Sequence, residues 1–583
     1  MTHSDPKKLS ADEWDEQNFP RPTEQEFDRV VERASSRRGI LGGALAFGSG
    51  AAVMGTGLLK GTAALAQQTS RFAFEQLAPQ TDGTIHVPAG YNWKVLVRWG
   101  DPLFSDAPAF DAATGIPTEG ADRVFGENTD GMEFFVIDGR QVIAVNHEYT
   151  NNDVNLPGAV DGKPQTAEEV RKLQNLQGVT VMEVSEGESG WEVIVDSPFN
   201  RRIDHNTPMT IAGPAAGHDL LKTEADPSGT ESLGTFNNCG AGKTPWGTYL
   251  TCEENFNGYF SSSDESYKPS AELSRYGVKT KDWGYAWATI DERFDISKHP
   301  HEPNRAGYVV EIDPMDPAST PKKRTALGRF KHENAEVVVA ADGRIVVYMG
   351  DDERGEFLYK FVSNGVYAVG GDNSDLLDDG ALFVAKFNED GSGEWLALTP
   401  DTTGMSEAEI CVHTRIAASK VGATTMDRPE WVSAHPHKAE VYCCLTNNKN
   451  RGVKTNAGGD ETPAVGPNPR EKNNYGQIVR WQPKGGDHTV AGFDWNLFVL
   501  AGNPTVHSDA YAGSGNVTAD NMFNSPDGLA FDSTGLLWIQ TDGSYKNEGD
   551  FAGMGNNQML VGDPETGEIK RFLVGPKECE VTG

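Results

Sequence analysis

Cys239 stands in Asn237-Asn238-Cys239-Gly240-Ala241-Gly242-Lys243-Thr244-Pro245-Trp246-Gly247, a glycine-rich loop leading into a strand that ends at Glu253-Glu254. Among glycines no neighbouring side chain obstructs a cysteine's approach to a ligand. Its thiolate is a soft donor, suited to iron, copper or zinc. A buried small hydrophobe is the alternative for an isolated cysteine. Three acids sit in comparable settings, Glu333 in Phe330-Lys331-His332-Glu333, Glu430 in Asp427-Arg428-Pro429-Glu430 and Asp527 in Ser525-Pro526-Asp527-Gly528. Each lies roughly ten to fifteen residues before a strand. A lone Asp-Gly is ordinarily a turn, but three acids in register point to one place. Arg428 offers a planar fork matched to phosphate oxygens; a salt bridge to nearby Glu430 is its alternative. Walker, G-x-S-x-G and H-E-x-x-H signatures are absent, so no serine nucleophile or zinc protease is signalled.

The elements that must position these residues announce themselves as an apolar run closed by acids or amides, repeated five times. The runs are Val142–Val145 before Asn146-His147-Glu148, Thr248–Thr251 before Cys252-Glu253-Glu254, and Ile345–Tyr348 before Asp351-Asp352-Glu353. Val441–Cys444 before Thr446-Asn447-Asn448 and Leu537–Gln540 before Thr541-Asp542 complete the set. Successive copies are roughly 95–105 residues apart, an internal repeat. Such runs read as strands, and equivalent strands around one axis bring their polar ends to one mouth. Converging oxygen ligands are what hard cations need. Most of the runs are followed by a second strand, for example Val179–Val184, Phe357–Val362 or Gln477–Trp481. Strand, strand, long insertion and repeat is the pattern of a β-propeller. With a first segment near Thr84–Trp99, an all-β propeller of about six blades is expected, with insertions at residues 255–306 and 449–475 decorating one face. Two β-sandwiches with coincidental spacing are the alternative. One short helix is expected from Thr166, which has capping-box spacing to Glu169, to about Leu176.

The chain has 583 residues and a formal charge of −34, which argues against nucleic acid or anionic membrane as a partner. Ser35-Ser36-Arg37-Arg38 opens a weakly apolar stretch ending in Ala64-Leu65-Ala66. A basic pair, an apolar region and an A-x-A site describe a cleavable export signal, here of the twin-arginine type. Residues 1–66 are therefore expected to be removed after handling by the twin-arginine machinery, leaving one domain over residues 67–583 in the periplasm or outside the cell. A membrane anchor is the alternative, although the many glycines make a poor permanent span. The six cysteines include no C-x-x-C pair, so a zinc ribbon is not expected. Vicinal Cys443 and Cys444 would point to opposite faces of a strand and stay reduced.

Taken in order, these segments resemble the PhoX-type alkaline phosphatases of bacteria. The resemblance rests on Asn146-His147-Glu148, Asn238-Cys239-Gly240, Thr244–Thr248, Leu250–Glu254, Phe330–Glu333, Tyr348–Glu353, Arg428-Pro429-Glu430, Asn474-Tyr475-Gly476 and Ser525–Leu529. It implies a monomeric, secreted phosphomonoesterase on a six-bladed propeller, with two ferric and three calcium ions joined by an oxo bridge. By resemblance Cys239, Glu333 and Glu430 are cluster ligands, and Arg428 binds the phosphate of a small monoester. Ligand status extends by the same route to Glu148, Glu253, Glu254, Asp352 and Asp527. One departure is Gly240-Ala241-Gly242, where the family usually has Ala-Gly-Gly. Two other functions fit the residues: a calcium-dependent propeller lactonase or esterase, and a calcium-stabilised binding module without hydrolytic activity. Iron content separates the first from a phosphatase, and ester hydrolysis separates the second.

Overall fold

The computed structural model describes residues 70–583 apart from 112 and 189, and only the backbone of 161; the expected signal lies outside the described residues. Five units stand around one axis, each containing an antiparallel meander of four strands, to which blades one, two and three add further strands, one of them in blade two paired in parallel. The first two strands of each unit form the inner hairpin. They are Thr129–Ile137 and Arg140–His147 in blade one, Asn238–Lys243 and Tyr249–Glu253 in blade two, and Glu336–Val339 and Arg344–Gly350 in blade three. Blade four has Pro429–Ala434 and Val441–Leu445, and blade five has Pro526–Phe531 and Leu537–Thr541. The third strands are Gly178–Gly187, Val309–Ile312, Leu358–Val366, Gln477–Pro483 and Gln558–Gly562. Blades three and four are joined at their outer edge, where Ser392–Ala397 pairs with Gly492–Leu500.

The blades adhere through apolar faces that alternate along the strands, as period-two side-chain placement requires. Val142, Ala144 and Val181 of blade one pack on Tyr249, Val310 and Ile312 of blade two. Leu250 and Val309 pack on Ile345, Val347 and Phe361 of blade three, whose Val346 and Tyr348 meet Val432, Cys443 and Trp481 of blade four. Tyr442, Cys444 and Ile478 then meet Leu529, Ile539 and Leu560 of blade five. Cys443 and Cys444 thus face opposite blades, and both are free thiols.

Between blades five and one the joint is different. The outer face of blade one is covered by Leu96, Val97, Leu103 and Phe125. On blade five, Phe572 takes edge contacts from Phe74 and Tyr91, and His86 bridges to Val574. The segment Thr84–Trp99, expected as part of a further blade, is irregular chain apart from the bridge of His86 to Val574 on blade five, and the all-β, multi-bladed propeller expected from the sequence is what the strands build. The runs read from the sequence as innermost prove to be second strands, with another strand inside each. The helix Ala167–Leu176 has the expected capping box between Thr166 and Glu169. Both expected insertions leave from the ends of second strands and carry short helices or irregular chain. No helix of the described residues is long and apolar enough to cross a membrane.

Candidate metal centre and active site

Each inner hairpin ends at the axis in the same way. Thr129 pairs with His147, Asn238 with Glu253, Pro429 with Leu445 and Pro526 with Thr541, and the register then slips by one residue. In blade three the bridge His332–Asp351 stands in the same relation to the ladder that begins at Glu336–Tyr348. A bulge re-aims the side chain beside it. The residue after each pair is Asp130, Cys239, Glu333, Glu430 or Asp527 on the first strand, and Glu148, Glu254, Asp352, Thr446 or Asp542 on the second. One hydrogen bond closes every copy. The N–H of Glu148, Glu254, Asp352, Thr446 and Asp542 donates to the carbonyl of Asn128, Asn237, Lys331, Arg428 and Ser525, at 2.9, 3.0, 3.0, 3.1 and 3.2 Å. Four of those five acceptor residues have positive φ, Asn128 at 44°, Asn237 at 48°, Arg428 at 54° and Ser525 at 49°. For arginine and serine that left-handed backbone is strained, and such strain collects at functional sites.

The resulting funnel has a buried base. Asp130, Cys239, Glu254, Glu333, Asp352 and Glu430 are all buried. Cys239 Sγ lies 3.1 Å from Asp130 Oδ2 and 3.3 Å from Glu333 Oε2. Ligand atoms of Cys239, Glu254 and Glu333 lie within 4.8 Å of one another, as do those of Glu333, Asp352 and Glu430. Nearer the mouth, Glu148 and Asp527 are half-buried and Asp542 is exposed. The C-terminal tail enters from the open joint between blades five and one. Thr582 Oγ1 donates to Asp130 Oδ1 at 2.7 Å, Gln540 Nε2 to Gly583 O at 3.1 Å and Asn557 Nδ2 to Cys579 O at 2.9 Å. This places Glu580, open to water yet crowded by the walls, against Asp542, Asp130, Asp527 and Glu148.

Mutual repulsion is the dominant electrostatic fact. Burial, and then the charges of Asp527, Asp352 and Asp130, push the Glu333 carboxyl well above the usual range. Burial followed by Glu333 and Asp352 does so for Glu254, and burial followed by Asp352 and Glu333 for Glu430. Glu148, Asp527 and Glu580 are raised in the same way. Burial and then Asp130 and Glu333 lift the Cys239 thiol. Arg428 opposes this: its Nη2 donates to Asp352 Oδ2 at 2.6 Å and lies 3.5 Å from Glu430 Oε1. Lys331 Nζ is 3.2 Å from Glu353 Oε2. The residues directly preceding Asp352 and Arg428 are anchored from behind. Arg415 grips Asp351 at 2.5 and 2.8 Å, and Arg451 holds Asp427 at 2.5 Å.

Nine carboxylates and a thiol therefore surround a small space, and Glu254 Oε1 and Asp352 Oδ1 are buried with no hydrogen-bond partner among the described residues. Buried charge persists only when paired or bound to metal. The donor set, one soft thiolate among hard oxygens, fits several cations of differing hardness. Glu253 does not belong to it. Its carboxylate faces away, taking Lys323 Nζ at 2.7 Å and the N–H groups of Phe236, Gly307 and Tyr308. Adjacent strand residues point to opposite faces, so only Glu254 of that pair reaches the funnel. The Gly240-Ala241 order is also accounted for. A Cβ on Gly240 would stand 1.9 Å from the Glu333 carbonyl oxygen, whereas the Ala241 methyl lies in the apolar joint between blades one and two.

Residues 72–583 match the family model described as alkaline phosphatase PhoX. The chain belongs to the PhoX family of alkaline phosphatases. PhoX of Pseudomonas fluorescens, solved in complex with vanadate, a transition-state analogue, is 51% identical over 88% of this chain and 90% of its own, with a TM-score of 0.84. PhoX membership makes the chain a hydrolase and agrees with the all-β, multi-bladed architecture. A gluconolactonase of Xanthomonas campestris (11% identity, 65% of this chain and 81% of its own, TM-score 0.24) is too distant to carry any argument. The same is true of a putative 6-phosphogluconolactonase of Bacteroides fragilis (8% identity, 76% and 96%, TM-score 0.22). No curated protein matches the chain.

Asp130 and Glu580 are funnel residues that the sequence pattern did not single out, and Asp542 was singled out there only as a strand-end acid. Asp130-Gly131 and Asp542-Gly543 look like turns. The usable signal was register, because Asp130-Gly131 precedes its second strand just as Asp527-Gly528 does.

Proposed function

We propose that this chain releases phosphate from small phosphomonoesters at a cluster of ferric and calcium ions held in the funnel. The observation that carries the reading is the convergence of Cys239 and eight strand-end carboxylates from all five blades beside Arg428, in a chain half identical to a vanadate-binding PhoX. Cys239, Glu254, Glu333, Asp352 and Glu430 would hold the iron, and Asp130, Glu148, Asp527 and Asp542 the calcium. Bound there, such ions supply Lewis acidity toward a phosphoryl group and neutralise its charge. Phosphoryl transfer depends on positioning and charge stabilisation more than on a covalent protein intermediate. Arg428 serves both. Its guanidinium hangs at the funnel base from a backbone locked by Asp427 and Arg451, within reach of equatorial phosphoryl oxygens. Asp352 holds it while no substrate is bound.

Arg428→Ala should keep the bound metal and lose turnover by about 10²–10³-fold, the usual cost of a preorganised donor. Equal loss of metal and activity would make Arg428 structural. Elemental analysis should find iron near two and calcium near three per chain; calcium without iron would move the reading to a calcium-dependent esterase. Cys239→Ser should bleach any iron–thiolate absorption band, and an unchanged visible spectrum would remove Cys239 from the ligand set. The export signal read in residues 1–66 supports action outside the cytoplasm, after cofactor loading and twin-arginine transport, and the family resemblance implies a monomer.

A further inference from the structure

The five blade ends are equivalent in backbone but not in chemistry. Four second strands place a carboxylate in the slot after the last paired residue, whereas blade four places Thr446 there. The backbone is the same, since the Thr446 N–H closes onto the Arg428 carbonyl as its counterparts close in the other blades. Thr446 is 1% exposed, and its hydroxyl takes no partner among the described residues. Unlike the Glu254 and Asp352 oxygens, this hydroxyl is not sealed off from open space, so a ligand there can complete it. In the same blade the strained residue two before the strand-end acid is Arg428, whereas the counterpart in blades one, two and five is uncharged. Blade three has Lys331 at that position but keeps its acid, Asp352.

The ring of negative charge is thus broken at one place, where neutral Thr446 is tied through its backbone to Arg428. We propose that the phosphoryl group is received against blade four, with the Thr446 hydroxyl donating to one of its oxygens and Arg428 to another. This rests on the phosphatase reading. A dianion crossing a mouth lined by Glu148, Asp527 and Asp542 meets repulsion wherever cations do not mask it. A carboxylate at position 446 would extend that repulsion to the receiving side. The threonine slot therefore sets which side of the funnel takes anion and which take cations.

The test compares metal-loaded wild type with Thr446→Val, Thr446→Ser and Thr446→Asp. It reads iron and calcium content, inhibition by inorganic phosphate, and kcat and KM on p-nitrophenyl phosphate. Thr446→Val should keep its metal and weaken phosphate inhibition roughly tenfold, the scale of one hydrogen bond to a charged group. Thr446→Ser should stay near wild type, and Thr446→Asp should keep its metal while losing phosphate inhibition. Wild-type inhibition in Thr446→Val overturns the inference, as does loss of metal in Thr446→Val with Thr446→Ser intact. If Thr446→Val does not fold, Thr446→Ala carries the same expectation. A wild-type chain that neither hydrolyses the ester nor is inhibited by phosphate overturns the phosphatase reading itself, and this inference with it.

Discussion

Asn146 is the residue whose loss should most clearly separate the site's scaffold from its ligands. It lies two residues before Glu148 and is fully buried. Its Nδ2 donates to Cys239 O at 2.6 Å and Gly240 O at 2.9 Å. Its Oδ1 accepts from Tyr249 at 2.9 Å and Thr251 at 2.8 Å. Both carbonyls lie inside the bulge of blade two, where the ladder slips and offers them no strand partner. Tyr249 retains Gly131 O as an alternative acceptor, at 2.8 Å. Asn146→Ala therefore orphans the Cys239 and Gly240 carbonyls and takes the acceptor of the Thr251 O–H, whose oxygen keeps only the bond from Asn238 Nδ2 at 2.8 Å. At about 1–3 kcal/mol per buried unsatisfied group, with some relief from an entering water, the loss should be about 3–5 kcal/mol. That is a large share of the ~5–15 kcal/mol that a domain normally has. Asn146→Asp keeps the volume but aims a carboxylate at two carbonyl oxygens, and should cost at least as much. Urea unfolding of the metal-free protein gives the stability, and alkylation of Cys239 reports the loop directly, because a loosened bulge exposes the thiol. A stability change under about 1 kcal/mol with unchanged alkylation would refute the idea that this amide sets the cysteine's position.

Chelation should invert the usual dependence of stability on pH. The folded-state pKa values of Glu148, Glu254, Glu333, Glu430 and Asp527 are raised by burial and mutual charge. Between the unfolded value of about 4 and those raised values, the folded chain binds more protons than the unfolded one. The contribution of these groups is thus fully present below about pH 4 and lost as pH climbs through the raised values. Metal-free protein should melt lower at pH 8 than at pH 5, and calcium should restore the melting temperature at pH 8; a rise with pH in chelated protein would contradict this. Removing residues 579–583 deletes Glu580 and the Thr582 bond to Asp130. Calcium affinity should fall on the scale of about 10–100-fold seen for lost outer-shell support, read by titration of the stripped protein; unchanged affinity would make the tail a passive plug.

Second and third strands were legible in the sequence because they are unbroken apolar runs buried between neighbours, such as Val441–Leu445. The innermost strands were not. Asn238–Lys243 reads Asn-Cys-Gly-Ala-Gly-Lys and has no β-branched residue. Pro526–Phe531 begins Pro-Asp-Gly, the signature of a turn. Close packing of blades at the axis selects small residues there, as the 1.9 Å gap at Gly240 and the 2.1 Å gap at Gly242 show. Those same residues erase strand propensity. The acids of the site remained visible as a repeat, but Glu253 could be separated from Glu254 only by knowing which of two adjacent strand positions faces the axis. Glu580 carries no local signal at all, since its role depends on a tail returning to a joint that only the closed ring creates.

The arrangement also explains how a chain tolerates so much unbalanced charge in one place. The four apolar joints between blades lie alongside the strands, away from the axis. Buried arginine pairs behind the funnel, Arg415 with Asp351 and Arg451 with Asp427, fix the strand ends independently of whatever fills it. Adhesion and ligation therefore rest on different residues, and the axis can stay repulsive without the blades parting. Because the five ends share one backbone, a single substitution in a slot changes the local chemistry while leaving the scaffold intact. Cysteine in blade two makes the site soft on one side, and threonine in blade four leaves a gap in the ring of charge. The fold thus determines where donors converge, and the identity of each donor determines which ion or oxygen is taken there.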